Sequence, residues 1–371
     1  MKKILFVIIM FLCSLTCFTK HVEAAEKKIG KYRYEILDKK KKTIAITYVS
    51  RVSSVVKIPK KLKGYTVVQL GTLRDNSYKF LMYSGKAKRI FSNKDVKKVK
   101  QINIPDTVYN IGMQAFKGCK NLKKLIFPKE LRYIGAEAMY DCQKLTNIIL
   151  PKKLKGIGCS AFCGCTALKK VQFKTNKAKI GKEAFLTSWW KYKEPSHLKY
   201  IILPTTYKGE IMDSAFAGYI GKTFTWKNFT ADNGAFFDGV KTLKTINIHK
   251  KVTDVEIPRN CLDDCAKQLE IVVPKSVESV YIWQQRYNIK QVTIRGLDTV
   301  LEGDYAMGDG DKHNMITVET VKCSKKSLAW ELASHYICPD FTEVDWEDFT
   351  DPDTMYKESN IDTKPVELIA L

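Results

Sequence analysis

A 23-residue repeat constrains this chain of 371 residues more than any other feature of the sequence. Five positions recur in register over three or four copies, and one of them is the cysteine position, Cys119, Cys142 and Cys165. The other four columns are Pro105, Pro128 and Pro151; Gly112, Gly135, Gly158 and Gly181; Phe116, Met139, Phe162 and Phe185; and Leu122, Leu145 and Leu168. A unit of this size buries its apolar side only against its neighbours, so the repeat predicts a stacked solenoid.

Within one unit, alternating side chains predict a short strand. Leu125 and Phe127 point inward, whereas Lys124 and Ile126 point outward. Pro128 ends the strand because proline cannot donate a hydrogen bond to a central ladder. We therefore expect stacked units to form one continuous core and one parallel sheet, with short parallel strands, irregular or 3-10 turns and few helices.

The pattern of the unit, L-x-x-I-x-ϕ-P-x-x-L-x-x-I-G-x-x-A-F-x-x-C, resembles the bacterial BspA-like leucine-rich repeats, also called the Treponema pallidum type. Degenerate copies bring the array to about eight coils. Residues 32–67 are similar to the usual N-terminal cap of that family, and residues 321–333 resemble the strand and helix that often close these proteins. The resemblance implies a right-handed leucine-rich-repeat solenoid without catalytic activity, in a secreted or surface protein that takes part in adhesion and protein binding.

The first 24 residues have the organisation of a signal peptide. A basic start, Met1 to Lys3, precedes an apolar run from Ile4 to Phe18, and a small-residue pattern predicts cleavage between Ala24 and Ala25. The apolar run is shorter than the roughly 20 residues that span a membrane, which disfavours a spanning helix there. No second apolar run of that length follows, so we expect no membrane span in the mature chain. The predicted divisions are a signal peptide (1–24), an N-terminal cap (25–55), the repeats (56–295), and an acidic C-terminal cap and tail (296–371). The protein is thus expected to be secreted, with or without retention at the cell surface.

Charge is unevenly distributed along the chain. Residues 25–295 hold 54 basic and 21 acidic residues, whereas residues 296–371 hold 6 and 17. The basic body predicts affinity for polyanions. Export disfavours nucleic acid and favours teichoic acid, glycosaminoglycan or acidic mucin. Electrostatic attachment to such a polymer, with the repeats as a scaffold, is therefore the alternative function; solubility alone also accounts for lysines scattered along every coil.

Two groups of side chains are candidates for binding a host or microbial surface protein. One is a segment with seven more residues than the regular unit has between Phe185 and Leu198, and it contains Trp189, Trp190 and Tyr192. Aromatic residues beside lysines are typical of interface hot spots, although both tryptophans would also serve to cover an irregular coil. The other group is the outward row of the strands: Gln101, Asn103, Lys124, Asn147, Lys170, Gln172 and Tyr200. The alternative interpretation is that these side chains are only exposed to solvent and bind nothing.

The cysteine column is interpreted as a structural ladder. Later coils place Ser188, Tyr219, Val240 and Cys265 at the position of Cys119, Cys142 and Cys165, so the position accepts any filler of suitable size. A ladder along the solenoid axis provides a line of sulfurs, whereas a thiolate metal site needs a tetrahedron. A disulfide through Cys159 or Cys163 is the other alternative.

Catalytic motifs are not evident in the sequence. It contains no nucleophile elbow, phosphate-binding loop, HExxH zinc motif or dinucleotide-binding fingerprint. A metal set of Cys323, His335 and Cys338 is disfavoured, because the first residue ends a strand and the second closes a helix. We expect no enzyme, no catalytic or metal site and no cofactor; an enzyme with its chemistry in residues 296–371 is the least favoured function.

Overall fold

Short parallel strands dominate this computed structural model. It describes residues 26–72, 87, 89–187, 196–204, 206–227, 230–231, 237, 240–258, 261–262, 265–283, 287–303, 317–340 and 362–371. The helical elements within these ranges are the α-helix α1 (Leu328–Ala333) and a 3-10 turn (Ala266–Gln268). The predicted fold class, a solenoid of short parallel strands with few helices, is thereby confirmed.

One strand from each coil joins a parallel array, which we call the first ladder. Its strands, numbered in chain order, are β4 (Val55–Lys57), β7 (Gln101–Asn103), β9 (Lys124–Ile126), β11 (Asn147–Leu150), β13 (Lys170–Phe173), β15 (Tyr200–Ile202), β17 (Thr223–Trp226), β19 (Thr245–Ile248), β21 (Glu270–Val273), β23 (Ile289–Ile294), β25 (Val318–Cys323) and β28 (Glu367–Ala370). Hydrogen bonds divide it into three sheets, β4-β7-β9, β11-β13-β15 and β17-β19-β21-β23-β25-β28.

A second parallel array follows the first within each coil, so the expectation of one parallel sheet is wrong. Its strands are β6 (Tyr65–Leu70), β8 (Asn110–Ile111), β10 (Tyr133–Ile134), β12 (Gly156–Ile157), β14 (Lys179–Ile180), β16 (Glu210–Ile211), β18 (Thr230–Ala231), β20 (Asp254–Ile257), β22 (Ser279–Ile282) and β24 (Val300–Gly303). Most of its early members have only two residues, too few for alternation to be visible in the sequence. The isoleucine before each repeat glycine pairs with its equivalent in the next coil, as Ile134 does with Ile157.

The remaining side of each regular coil is a turn that also bonds to its neighbour. The backbone N–H groups of Gln114, Phe116 and Gly118 donate to carbonyls of the next coil, at 3.0, 2.8 and 2.8 Å. Gln114 has a φ of +55°, and its equivalent Glu137 has +52°. This turn side completes a coil in which all three sides carry hydrogen bonds to the neighbouring coil.

Stacked phenylalanine rings fill the interior of the solenoid, and the repeat glycines allow neighbouring coils to approach closely. Phe162 and Phe185 are fully buried and stack with ring centroids 5.1 Å apart, and Phe185 continues to Phe216 at 6.0 Å. A Cβ on Gly158 would lie 2.3 Å from the backbone nitrogen of Ala136 in the preceding coil. Adjacent coils therefore approach to backbone contact at this glycine, where any larger residue would overlap the neighbouring coil.

Different strands close the two ends of the array. At the N-terminal end, β1 (Lys27–Ile29), β2 (Tyr32–Asp38) and β3 (Thr43–Val49) form an antiparallel meander; β3 pairs in parallel with β6, and β5 (Lys61–Leu62) pairs with β6 as a hairpin. At the other end, β28 adds in parallel to β25, while β26 (Ile337–Asp340) and β27 (Asp362–Pro365) pair antiparallel. The predicted signal peptide and residues 341–361 lie outside the described residues, and the domain boundaries stay predictions.

Candidate recognition face

Strand pleating exposes two columns of side chains on the N-terminal half of the first ladder. Backbone register aligns Gln101 with Lys124, and Asn147 with Lys170 and Tyr200. These side chains, together with the second column two residues farther along each strand, form what we call the recognition face. Its members are Val55, Gln101, Lys124, Asn147, Lys170 and Tyr200 in the first column, and Lys57, Asn103, Ile126, Ile149, Gln172 and Ile202 in the second. All seven predicted strand residues thus lie on one face; their role in binding stays a prediction.

Five large apolar side chains on this face are exposed to solvent: Val55 in β4, at 39%, and four more in β9, β11 and β15. The exposed fractions are 64% for Ile126, 52% for Ile149, 51% for Tyr200 and 40% for Ile202. Ile149 and Ile202 flank Gln172 in adjacent strands, so they lie about 10 Å apart along the axis. We call these four residues the apolar patch. Apolar side chains clustered among polar ones are typical of a surface that contacts a partner.

Several equivalent positions in the C-terminal half of the first ladder, from β21 onward, hydrogen-bond to one another. The Glu270 carboxylate accepts from the Gln291 amide and the Thr293 hydroxyl, each at 2.9 Å. Thr320 donates from its hydroxyl to Glu367 at 3.0 Å. These polar side chains satisfy much of their hydrogen-bonding capacity within the protein, whereas the isoleucines of the apolar patch are exposed.

A third column runs along the edge of the face, at the residue just before each strand. We call its six exposed lysines the lysine column: Lys100, Lys123, Lys169, Lys199, Lys222 and Lys244. Backbone hydrogen bonds fix their alignment, since Lys123 donates to Lys100, and Lys199 to Lys169, at 2.9 and 3.0 Å. Thr146 holds the position between Lys123 and Lys169. At this position the lysines are aligned along the axis, in contrast to the scattered distribution that the sequence suggested.

Acidic side chains near the regular coils lie on the turn side and around the second ladder, where they pair with other lysines. Lys179 contacts Glu210 at 2.6 Å, and Lys182 contacts Asp213 at 2.9 Å. The bond to Asp213 is the main cause that raises the pKa of Lys182. Further pairs are Lys117 with Glu137, Lys120 with Asp141, and Lys153 with Glu130. Among the described residues, no member of the lysine column forms an ion pair.

The predicted aromatic residues Trp189, Trp190 and Tyr192 lie outside the described residues. The residues that flank their segment, Thr187 and Ser196, are described. Their hydroxyls hydrogen-bond at 2.6 Å, and both side chains are buried. The two ends of the segment therefore lie side by side, a few residues before Tyr200 of the apolar patch.

The cysteine column lies inside the solenoid. Cys119, Cys142 and Cys165 are fully buried free thiols, and the last two donate to the carbonyls of Phe116 and Met139 in the preceding coil, at 3.5 and 3.3 Å. Burial raises the pKa of Cys119 to about 12, and burial also raises the pKa of the other two thiols well above the usual range. Cys265 is also buried and donates to the Leu262 carbonyl at 3.2 Å. Cys159 is a free, partly buried thiol.

Histidine and metal chemistry have little support in the described ranges. They contain no cluster of three His, Cys, Asp or Glu side chains that could hold a metal ion. His249 follows β19, and its ring accepts a hydrogen bond from the Lys251 backbone at 3.3 Å. Burial and then nearby lysines lower its pKa. Within the same ranges, no helix has the length and apolar character needed to cross a membrane.

Several solved structures of bacterial proteins are similar to this chain. A leucine-rich cell-surface protein from Faecalibacterium prausnitzii is 18% identical, with 82% of this chain and 89% of that chain covered and a TM-score of 0.48. The leucine-rich repeat protein of Treponema pallidum is 19% identical over 70% of this chain and 86% of that chain, with a TM-score of 0.36. The pneumococcal vaccine antigen PcpA is 14% identical, with 84% and 96% covered and a TM-score of 0.35.

Sequence comparison gives the decisive result. No curated protein matches this chain. A model of the BspA type leucine-rich repeat region matches residues 87–195 and 191–284, in six copies that together span more than half of the chain. The chain therefore belongs to the BspA-type leucine-rich repeat family.

Proposed function

We propose that this protein is a secreted or surface-retained recognition or adhesion protein, without catalytic activity, that binds a host or microbial surface protein through its recognition face. Family membership favours a role in protein interaction or adhesion. The single observation that supports the finer proposal is the apolar patch, because its isoleucines are exposed on rigid strands rather than on loops.

The energetics of the patch suit a protein partner. Covering an exposed isoleucine contributes roughly 1–2 kcal/mol, so three of them supply a substantial part of a typical affinity. Polar neighbours such as Asn147 and Lys170 would orient the partner. A polar group buried in the interface without a hydrogen bond costs binding free energy, so orientations that satisfy these groups are favoured. An apolar centre with a polar rim is typical of protein interfaces.

The aromatic segment that contains Trp189, Trp190 and Tyr192 is part of this proposal. The hydrogen bond between Thr187 and Ser196 anchors its two ends close to Tyr200. A segment anchored there would extend the apolar patch with tryptophan and tyrosine, the residue types enriched in hot spots.

The test begins with capture of partners by residues 25–371 from host-surface and bacterial-wall extracts, at about 0.15 M and about 0.5 M salt. A partner retained at the higher salt is purified, and its Kd is measured for two triple variants. Ile126→Ser, Ile149→Ser and Ile202→Ser should weaken binding about a hundredfold. The matched control in the C-terminal half, Thr223→Ser, Thr225→Ser and Asn247→Ser, should leave the Kd unchanged.

Two results would contradict the proposal. Equal Kd values for the two triple variants would exclude the apolar patch as the contact. A double variant, Trp189→Ala with Trp190→Ala, that binds as the original protein does would exclude the aromatic segment.

A second candidate function, attachment to an anionic polymer such as teichoic acid, glycosaminoglycan or mucin, is favoured by a separate observation. Seven segments of eight residues carry the first ladder and its edge through the regular coils: 97–104, 120–127, 143–150, 166–173, 196–203, 219–226 and 241–248. Together they contain thirteen lysines and no aspartate or glutamate. Lys98 and Lys120 pair with Asp95 and Asp141, and the other eleven lysines form no ion pair among the described residues. This side of the solenoid therefore presents an excess of positive charge.

A further inference from the structure

We propose that the lysine column is the binding site of a linear polymer whose repeating phosphate or sulfate groups lie along the solenoid axis. This inference rests on the second candidate function, polymer attachment, and it is independent of the apolar patch. The column is a defined line of charges, and that geometry selects the shape of the ligand as well as its sign.

The spacing of the column sets the repeat of the ligand. Neighbouring strands lie about 4.8 Å apart, so the seven positions from Lys100 to Lys244, Thr146 included, span about 29 Å. A compact anion would contact only one or two of these lysines. A linear polymer that carries a charge every 5–10 Å or so would engage most of them at once, because its charges then repeat at one or two strand spacings.

The surroundings of the column concentrate its positive charge. Lys124 and Lys170 extend outward on the recognition face directly beside Lys123 and Lys169, so the column is two lysines wide in those coils. The acidic side chains that would otherwise neutralise it pair with lysines on the other sides of the coil, as Glu210 does with Lys179.

The residue type indicates how the column would bind. All six members are lysine, whose charged end moves on a flexible stem and acts as a point charge. Such side chains follow a flexible polymer, whereas rigid recognition of a single phosphate or carboxylate usually employs the forked arginine group. We therefore expect strong dependence on salt and on polymer length, with little dependence on sugar identity.

The test compares two quadruple variants with the same loss of charge. The column variant carries Lys100→Gln, Lys123→Gln, Lys169→Gln and Lys199→Gln. The control variant replaces four exposed lysines that lie off the first ladder and form no ion pair among the described residues: Lys129, Lys152, Lys155 and Lys177, each to glutamine. Thermal unfolding confirms that both fold. Binding of fluorescent heparin, long-chain polyphosphate and poly-L-glutamate is then titrated between about 0.05 and 0.3 M salt.

The column variant should bind heparin or polyphosphate at least about tenfold more weakly, with a shallower salt dependence, while the control loses less than about threefold. A preference for heparin would indicate a sulfated glycan as the natural source, and a preference for polyphosphate a phosphate polymer of the cell wall. Equal losses in the two variants would overturn the assignment of the site but leave polymer attachment standing. Absence of binding by the original protein would overturn polymer attachment itself. If the protein binds poly-L-glutamate but neither heparin nor polyphosphate, and the column variant loses that binding, the ligand would be an acidic protein rather than a phosphate or sulfate polymer.

Discussion

The two halves of the first ladder fill the same outward positions in opposite ways. In the N-terminal half, these positions expose isoleucines such as Ile126 and Ile149. In the C-terminal half, the same positions hold Thr293 and Glu270, which hydrogen-bond across the strands. The inward residues of both halves are apolar and buried. The comparison shows that stacking constrains the interior of each coil but leaves its outward side chains free to differ, exposed and apolar at some positions and hydrogen-bonded at others.

The largest expected effect concerns the reactivity of the buried cysteines in the N-terminal half. Cys142 should react with an alkylating agent at pH 8 on the order of a thousandfold more slowly in the folded protein than in denaturant, because the thiol is buried and its pKa is raised. Peptide mapping after timed alkylation measures this ratio at Cys119 and Cys165 as well. Labelling of Cys142 at the denatured rate would show that the column is open to solvent.

The close spacing of coils in the N-terminal half gives the next prediction. Gly158→Val should lower the free energy of unfolding by about 3 kcal/mol or more, because the new Cβ would overlap the Ala136 backbone. Denaturant unfolding followed by circular dichroism measures the change. Gly30→Ala is the control: it has space for a Cβ but a φ of +54°, and should cost about 1 kcal/mol. Equal costs would mean that coil contact does not set the spacing.

The polar network of the C-terminal half gives an intermediate effect. Glu270→Ala should lower the free energy of unfolding by about 1–2 kcal/mol, since Gln291 and Thr293 each lose an acceptor. Lys170→Ala, at an equivalent outward position in the N-terminal half, should change it by less than about 0.5 kcal/mol. If urea unfolding shows the same cost for both, the contrast between the halves is wrong in energetic terms.

The smallest effect is expected within the apolar patch itself. Ile149→Ser should change the free energy of unfolding by less than about 0.5 kcal/mol, because the side chain is half exposed. Its buried neighbour Ile148 is the matched control, and Ile148→Ser should cost about 3 kcal/mol or more. Thermal denaturation of the two variants checks the difference. A large loss for Ile149→Ser would make the patch part of the core rather than a surface for a partner.

Sequence periodicity predicted the repeated interior well and the second ladder not at all. Inward positions such as Leu125 recur every 23 residues because each fills an equivalent site, so the pattern is visible without a structure. Strands of two residues, such as Tyr133–Ile134, are too short for alternation to be visible. Their pairing follows from the stacking of whole coils.

The recognition face was predictable as a row of outward residues, but the apolar patch and the lysine column were not predicted as separate features. Outward residues follow from pleating once a strand is placed, as at Lys124 and Asn147. The lysine column was missed because it lies one residue before each strand, where a lysine is common for solubility. Its signal was the 23-residue step from Lys100 to Lys123, continued at Lys169 after Thr146. The absence of aspartate and glutamate from the surrounding eight-residue segments was also visible in the sequence.

The terminal strand β28 affects the order in which this protein can fold. Its residue Glu367 pairs with Thr320 across 47 residues, whereas the preceding steps of the same sheet, such as that from Glu270 to Gln291, span 21 to 29. The other coils can add one at a time to a growing stack during synthesis. The last strand must close a longer loop, and it becomes available only after residue 370 has been made. Until then the edge of β25 is an unpaired template, so the interval before β28 docks is the period in which edge-to-edge association is most favoured.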